Sequence, residues 1–311
     1  DTPGFRDTGF DNFAASFEDW GMADTLMISG TDPFETKTVI WNQWIMPGIR
    51  RGMKVIFVLP RKTTGVAWAE KSGGLHLWLI PGTDTVLQMA ISRYIVEQGW
   101  EDRPWIDQYT SNKWESDSGF GQGTRNTPWQ WRTTWGDFQT NGFEDYKKWL
   151  FAVEEAELSN AARITGVPEE AIIRAAELMA KPNMDGSRPK TSIGIEKGNY
   201  WSNNYLNTAS IAALALICGT GNRPGQMISR FGGHQRGGIS GGRYPIEKSP
   251  EKFAGRRRKP LDLDRWIESG NVRFAWAVGT TWLGSMTASQ DFMKTFVRLT
   301  TESPHQIRSV E

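Results

Sequence analysis

Residues 54–63 read Lys-Val-Ile-Phe-Val-Leu-Pro-Arg-Lys-Thr. Val55–Leu59 is an unbroken apolar run with no polar alternation, the pattern of a strand covered on both faces. Pro60 stops it, and Arg61, Lys62 and Thr63 place donors just past its end. The same unit recurs outward from this stretch. Thr25-Leu-Met-Ile-Ser-Gly30 closes at Gly30-Thr31-Asp32-Pro33, and Leu75-His-Leu-Trp-Leu-Ile80 closes at Pro81-Gly82-Thr83-Asp84. Thr191-Ser-Ile-Gly-Ile195 closes at Glu196-Lys197-Gly198, and Arg273-Phe-Ala-Trp-Ala-Val278 closes at Gly279-Thr280-Thr281. Helical patterns fall between the strands. One spans Thr38 to Met46 and is ended by Pro47-Gly48. Another runs to Glu97, with Thr83 or Asp84 as N-cap and Gly99 as stop. A third covers 144–163, a fourth starts at Val167-Pro168-Glu169-Glu170 and ends near Ala180, and a fifth covers 205–218. Strands alternating with helices predict an α/β fold, a mainly parallel sheet with flanking helices.

Composition narrows the function classes. The chain has 311 residues and a formal net charge of +1, which gives no argument for nucleic acid or for an acidic membrane surface. The one dense basic run, Arg256 to Lys259, reads as a solvated loop. Cys218 is the only cysteine, so no intrachain disulfide forms and no iron–sulfur cluster is held here. It follows an apolar helical run and reads as core. His76, His234 and His305 lack zinc spacing, and no apolar stretch approaches the roughly 20 residues of a membrane span. The Asp-Thr-Pro start and the end at Glu311 read as cuts inside a longer protein. Residues 111–142 combine Ser, Asn, Gly, Gln and Thr with Trp114, Trp129, Trp131 and Trp135, which reads as an ordered insertion. The 16 tryptophans also admit a competing reading, a carbohydrate-binding module that stacks sugar rings on aromatics.

In open α/β sheets ligands bind beyond the carboxyl ends of the strands. Gly30, Gly82 and Gly198 let backbone amides approach a phosphate, and Arg61 and Lys197 bring charge. A helix opening at Thr83 adds its dipole, and Asp32 and Asp84 accept from a ribose hydroxyl or a guanine edge. Each of these junctions is also an ordinary cap, so only their convergence on one edge points to a nucleotide-like ligand. Neither G-x-G-x-x-G nor G-x-x-x-x-G-K-[ST] occurs, so a nicotinamide or ATP site is not indicated. Arg230-Phe-Gly-Gly-His234-Gln-Arg-Gly-Gly238 reads either as a small-anion site, with Arg230 and His234 converging, or as a basic surface turn.

The ordered set Glu196-Lys197-Gly198…Trp201…Asn203-Asn204-Tyr205, Gly221-Asn222-Arg223-Pro224-Gly225 and Arg230-Phe-Gly-Gly-His234-Gln235 resembles a known family. So do Ser16-Phe17-Glu18-Asp19, Asp32-Pro33-Phe34-Glu35, Pro60-Arg61-Lys62-Thr63, Leu75-His76-Leu77, Pro81-Gly82-Thr83-Asp84 and Val96-Glu97-Gln98-Gly99-Trp100. They are similar to the large catalytic subunits of molybdopterin oxidoreductases of the dimethyl-sulfoxide-reductase family, in the group containing arsenite oxidase and iodate reductase. The resemblance covers nearly the whole chain apart from 111–142. It implies a molybdenum bis-molybdopterin guanine dinucleotide cofactor at the carboxyl ends of the strands. Residues 1–233 are then the domain cradling one pterin-guanine-dinucleotide, and 234–311 the start of the neighbouring cofactor domain. An iron–sulfur cluster is expected in an N-terminal domain outside this chain. The implied cofactor contacts are Gly30, Thr31, Asp32, Pro60, Arg61, Thr63, Gly82, Thr83, Asp84, Glu196, Lys197, Gly198, Gly233 and Gln235. The implied substrate pocket holds Arg230, His234, Asn12 and Arg236, with no side chain on the metal. A small Rieske-type iron–sulfur subunit, an electron carrier such as a cytochrome c and a periplasmic location are also implied.

The departures from the arsenite-oxidase pattern bear on substrate. Asn12 stands at an acidic position, no histidine lies in 1–12, and Arg236-Gly237-Gly238 replaces an acidic, Pro-rich stretch. Leu59 stands where the wider family has an Asp before Pro-Arg. Arsenite is neutral near pH 7 and must lose protons on oxidation, which a carboxylate assists. Iodate is a permanent anion, which Asn12 and Arg236 favour. The expectation is a reductase of a small oxyanion that is iodate-reductase-like, with arsenite oxidation as the alternative.

Overall fold

A computed structural model describes residues 16–111, 129–130, 132–135, 138–200, 204–221, 223–231, 293–294 and 297–298. Nearly all of them belong to the first of two compact units, Asp1–Arg236. The expected strand 273–278 lies outside the described residues. Its sheet has five strands: β1 (Thr25–Ser29), β2 (Lys54–Val58), β3 (Leu75–Leu77), β8 (Thr191–Ile195) and β9 (Ile228–Arg230). All pairs are parallel, in the order β3-β2-β1-β8-β9. Four short strands lie between: β4 (Thr110–Ser111), β5 (Trp129–Gln130), β6 (Arg132–Trp135) and β7 (Phe138–Asn141). The chain builds outward from β1 to β3, then returns to β8 on the other side of β1. The order therefore reverses between β1 and β8.

The near-continuous apolar runs have a direct cause. Met27, Ile56, Val58, Leu77, Ile193, Ile195 and Ile228 face one core, together with helices Asp84–Glu97, Glu169–Ala180 and Asn204–Ile217. Leu26, Ile28, Val55, Phe57 and Leu59 face a second core with Trp20, Trp41 and Phe231. Alternate residues of β1 and β2 thus enter different cores, so the middle of each strand is apolar throughout. Cys218 is buried, and burial pushes its thiol up to about 12, so it is an unreactive core residue.

The elements differ from the sequence reading in several places, and helices Thr64–Lys71 and Arg103–Tyr109 were not expected at all. β3 ends at Leu77 rather than Ile80, because β2 ends opposite it and the Ile80 amide turns to the Thr165 carbonyl. Trp78 and Ile80 are exposed. Pro47 does not stop its helix. Trp41–Ile45 forms a π turn with Met46 N donating to Trp41 O, and the helix resumes over Met46–Arg50. The wider turn accommodates a residue that has no N–H to give. The helix expected over 144–163 is split into Phe143–Ala152, a 3₁₀ turn Glu154–Ala156 and Leu158–Thr165. Val153 is extended at the break, and its carbonyl takes Arg93 Nη1 at 3.2 Å. Finally, Ile228–Arg230 is a strand that no helix or strand period announced.

Backbone packs on backbone at the point of reversal. The Gly198 amide donates to the Gly30 carbonyl at 3.0 Å. Gly30 has φ 75°, and a Cβ there would lie 2.1 Å from the Asn199 nitrogen. Gly99 has φ 66° with nothing within 4 Å of the same position. Gly99→Ala is expected to cost about 1 kcal/mol, the left-handed penalty alone. Gly30→Ala is expected to cost at least about 3 kcal/mol because backbone must also move. Thermal unfolding of the two variants side by side measures the difference. Equal losses would mean the crossing is not rigid.

Candidate functional site

Beyond the carboxyl ends of β1, β2 and β3 lies a cleft of about 470 Å³, within the usual range for small-ligand sites. The end of β1 contributes Gly30, Thr31 and Asp32, and the end of β2 contributes Pro60, Arg61 and Thr63. Gly82 and Asp84 come from the loop after β3, and Gly198 from beyond β8. The strand-end residues named from sequence thus converge on one space. Thr83, Glu196 and Lys197 do not line it. Glu35, Thr36, Val58, Leu59 and Leu79 do and were not named as contacts, and Pro81 joins them from the turn already singled out. The one available signal was Glu35, which sits one turn beyond the Asp32 cap.

Several of these side chains also build the loops that carry them. Asp32 accepts from Phe34 N at 2.8 Å and from Gly65 N at 3.1 Å, so one carboxylate caps helix Pro33–Thr36 and ties it to helix Thr64–Lys71. A Cβ on Gly65 would sit 2.3 Å from that carboxylate. Thr63 caps the second helix by accepting from Val66 N at 3.3 Å. His76 Nε2 lies 3.0 Å from the Leu59 carbonyl and fixes the turn before Pro60. Arg61 pairs with Glu35 at 3.0 Å, in solvent, and such a pair contributes little to stability. Thr83 does not cap with its side chain. Its hydroxyl donates back to the Ile80 carbonyl at 2.6 Å.

Asp84 stands apart. It opens the 14-residue helix Asp84–Glu97 and is 5% exposed. Burial raises its pKa from 3.8 to about 6, against the opposing pull of its own amide and that of Gly82. A carboxyl held up in this way is under-solvated, and N–H donors from a ligand would relieve it.

The Arg230–Glu196 pair forms a separate station, set by the register that places Ile195 beside Arg230. Arg230 Nη2 lies 3.6 Å from Glu196 Oε1, and both residues are buried, at 5% and 6% exposure. Glu196 Oε2 also accepts from Lys197 N at 3.1 Å. Asn12, Gly233, His234, Gln235 and Arg236 lie outside the described residues.

No family model matches the chain. Curated relatives do. The iodate reductase subunit IdrA of Denitromonas iodatirespirans is 55% identical over 312 residues, covering 100% of this chain and 34% of that protein. The arsenite oxidase subunit AioA of Herminiimonas arsenicoxydans is 32% identical over 253 residues, covering 75% of this chain and 26% of that protein. The chain belongs to the molybdopterin oxidoreductases of the dimethyl-sulfoxide-reductase family. It spans about a third (34%) of the length of the curated relatives that match it end to end. Among solved structures, acetylene hydratase from Pelobacter acetylenicus superposes with TM-score 0.50 at 19% identity, over 72% of this chain and 25% of that one, which concerns the fold alone. The alignment with IdrA runs through residues 111–142, the stretch where the sequence resemblance was weakest.

The family's cofactor is a molybdenum–pterin group, and the cleft suits one arm of such a group. It is concave, Gly82 sits at φ 91° with nothing within 4 Å of a built Cβ, and Asp84 offers an acceptor beside a helix start. The raised Asp84 carboxyl has a stability signature. Protonated Asp84 is the favoured folded form, so its destabilising effect is absent below pH 3.8, grows from there to pH 6 and is constant above. The shift corresponds to about 3 kcal/mol. In cofactor-free protein, Asp84→Asn is therefore expected to gain stability over the parent as pH rises from 4 to 7. Melting temperatures across that range measure it. A constant offset between the two would show that Asp84 does not titrate there.

Proposed function

We propose that this chain is the part of a catalytic subunit that cradles one pterin-guanine-dinucleotide of a molybdenum bis-molybdopterin guanine dinucleotide cofactor, and that the whole enzyme reduces iodate. The observation that carries the substrate reading is 55% identity over all of this chain to a subunit named for iodate reduction, against 32% over 75% of it for an arsenite oxidase subunit. Asp84 is the guanine acceptor in this reading. A guanine edge presents adjacent N–H donors, which a desolvated carboxyl needs. The amides of the Gly30 and Gly82 loops and the start of helix Asp84–Glu97 meet the pyrophosphate. Residues 1–233 form the cofactor domain, and 234–311 begin its neighbour.

When bound, the molybdenum centre would supply oxygen-atom transfer, passing to the substrate electrons that it receives from the external donor. The chain's own part is to hold substrate. Arg230 is a permanent cation in a dry site and binds an oxygen of the anionic substrate. His234 donates a hydrogen bond or relays a proton, while Asn12 and Arg236 keep the entrance favourable to an anion. The iron–sulfur domain, a small Rieske-type subunit, a cytochrome c electron donor and a periplasmic site complete this reading.

The test is expression of the full-length enzyme in a host that makes the molybdenum cofactor, with reduced viologen as donor. Iodate-dependent oxidation is expected, and Arg230→Ala should lower kcat/KM by about 100-fold at unchanged molybdenum content. A molybdenum-loaded enzyme that oxidises arsenite and leaves iodate untouched would replace this reading with arsenite oxidation.

A further inference from the structure

The crevice where the strand order reverses contains a buried chain of polar side chains. Thr85, one residue into the helix that starts at Asp84, donates its hydroxyl to Asn207 Oδ1. Asn207 Nδ2 donates to the Asn199 carbonyl at 2.6 Å. Asn199 Nδ2 donates to Ser29 Oγ, at the end of β1, at 3.1 Å. Ser29, Asn199 and Asn207 are fully buried. The Asn199 amide returns to the Glu196 carbonyl at 2.9 Å, and the Gly198 amide goes to Gly30. Asn207 therefore touches both stations through one side chain. Its oxygen takes the helix that carries Asp84, and its nitrogen takes the turn that carries Glu196 against Arg230.

The Asn207 amide has little rotational freedom, because turning it over would set its oxygen against the Asn199 carbonyl, acceptor on acceptor. We infer that Asn207 is a positioning residue: it locks the Glu196–Asn199 turn to the start of the Asp84 helix, so that the placement of Glu196, and with it the grip of Arg230 on the oxyanion, depends on the nucleotide cleft. The inference rests on the proposed role of Arg230. Thr85 is the place to interrupt the lock, since Thr85→Val keeps the shape and removes the hydroxyl, and Thr85→Ser restores it.

The experiment uses the full-length, molybdenum-loaded enzyme and reads amide hydrogen exchange together with iodate kinetics. In Thr85→Val, exchange at the Gly198 and Asn199 amides is expected to rise by about tenfold. Exchange in β1 and β2 is expected to stay unchanged. The KM for iodate should move by about fivefold in the same variant, with kcat moving less. Thr85→Ser should restore both. Unchanged exchange at Gly198 and Asn199 overturns the lock and leaves the iodate-reductase reading standing. Raised exchange with an unchanged KM overturns the coupling if Arg230→Lys does raise KM. If Arg230→Lys leaves KM unchanged as well, the proposed role of Arg230 falls, and this inference with it.

Discussion

The Gly198 amide meets the Gly30 carbonyl at 3.0 Å, and a side chain on either residue would collide with the other segment's backbone. Open parallel sheets ordinarily place their ligand in the crevice where strand order reverses. Here that crevice is closed by backbone and packed beneath with Ser29, Asn199 and Asn207. The ligand space lies to one side, over β1, β2 and β3, with Gly198 at its edge. The other side, β8 and β9, is left to carry the Arg230–Glu196 pair. One close contact thus separates a cleft from an ion-pair station along a single sheet edge.

The two stations differ in how their charges are met. In the cleft, Asp32 already serves two backbone amides and Glu35 already pairs with Arg61. Asp84 carries the unmet demand for donors, which is why burial moves it to about 6. Arg61 is the one cation among the cleft residues described, and it lies in solvent. A phosphate bound there depends on amides and on a helix start more than on side-chain charge. Amides gathered at a loop or helix start provide such a site without a cluster of lysines.

The fold was largely legible because strands buried on both faces leave long apolar runs that few other elements mimic, and Pro60, Gly30 and Pro81 punctuate them. The α/β class and the convergence of strand ends followed from that pattern alone. What was not legible depends on distant contacts. The break at Val153 answers to Arg93, some 60 residues earlier in the chain, and the early end of β3 answers to Thr165. Ile228–Arg230 is too short for a period of its own and exists because β8 offers it an edge. The individual site residues could be read at the strand ends, but their partners could not. Asp32 with Gly65, His76 with Leu59, and Arg230 with Glu196 are products of register and of loop geometry. Leu59, which departs from the family's Asp, shows the same limit. Its side chain is spent in the second core, and its carbonyl takes the His76 contact.

A buried arginine must remain charged while being kept from water, and these requirements conflict. Removing a guanidinium from solvent costs several kcal/mol unless a counter-charge is supplied, about the size of the whole stability of many domains. Glu196 supplies it, and its distance from Arg230 matters. At 3.6 Å, the nearest contact is longer than a charge-assisted hydrogen bond of about 2.8 Å. Attraction across that gap stabilises the buried cation. A more distant carboxylate would leave the charge more costly to bury. The position of Glu196 is therefore as consequential as its identity. It is set by a turn whose backbone is held by Gly30 on one side and Asn207 on the other.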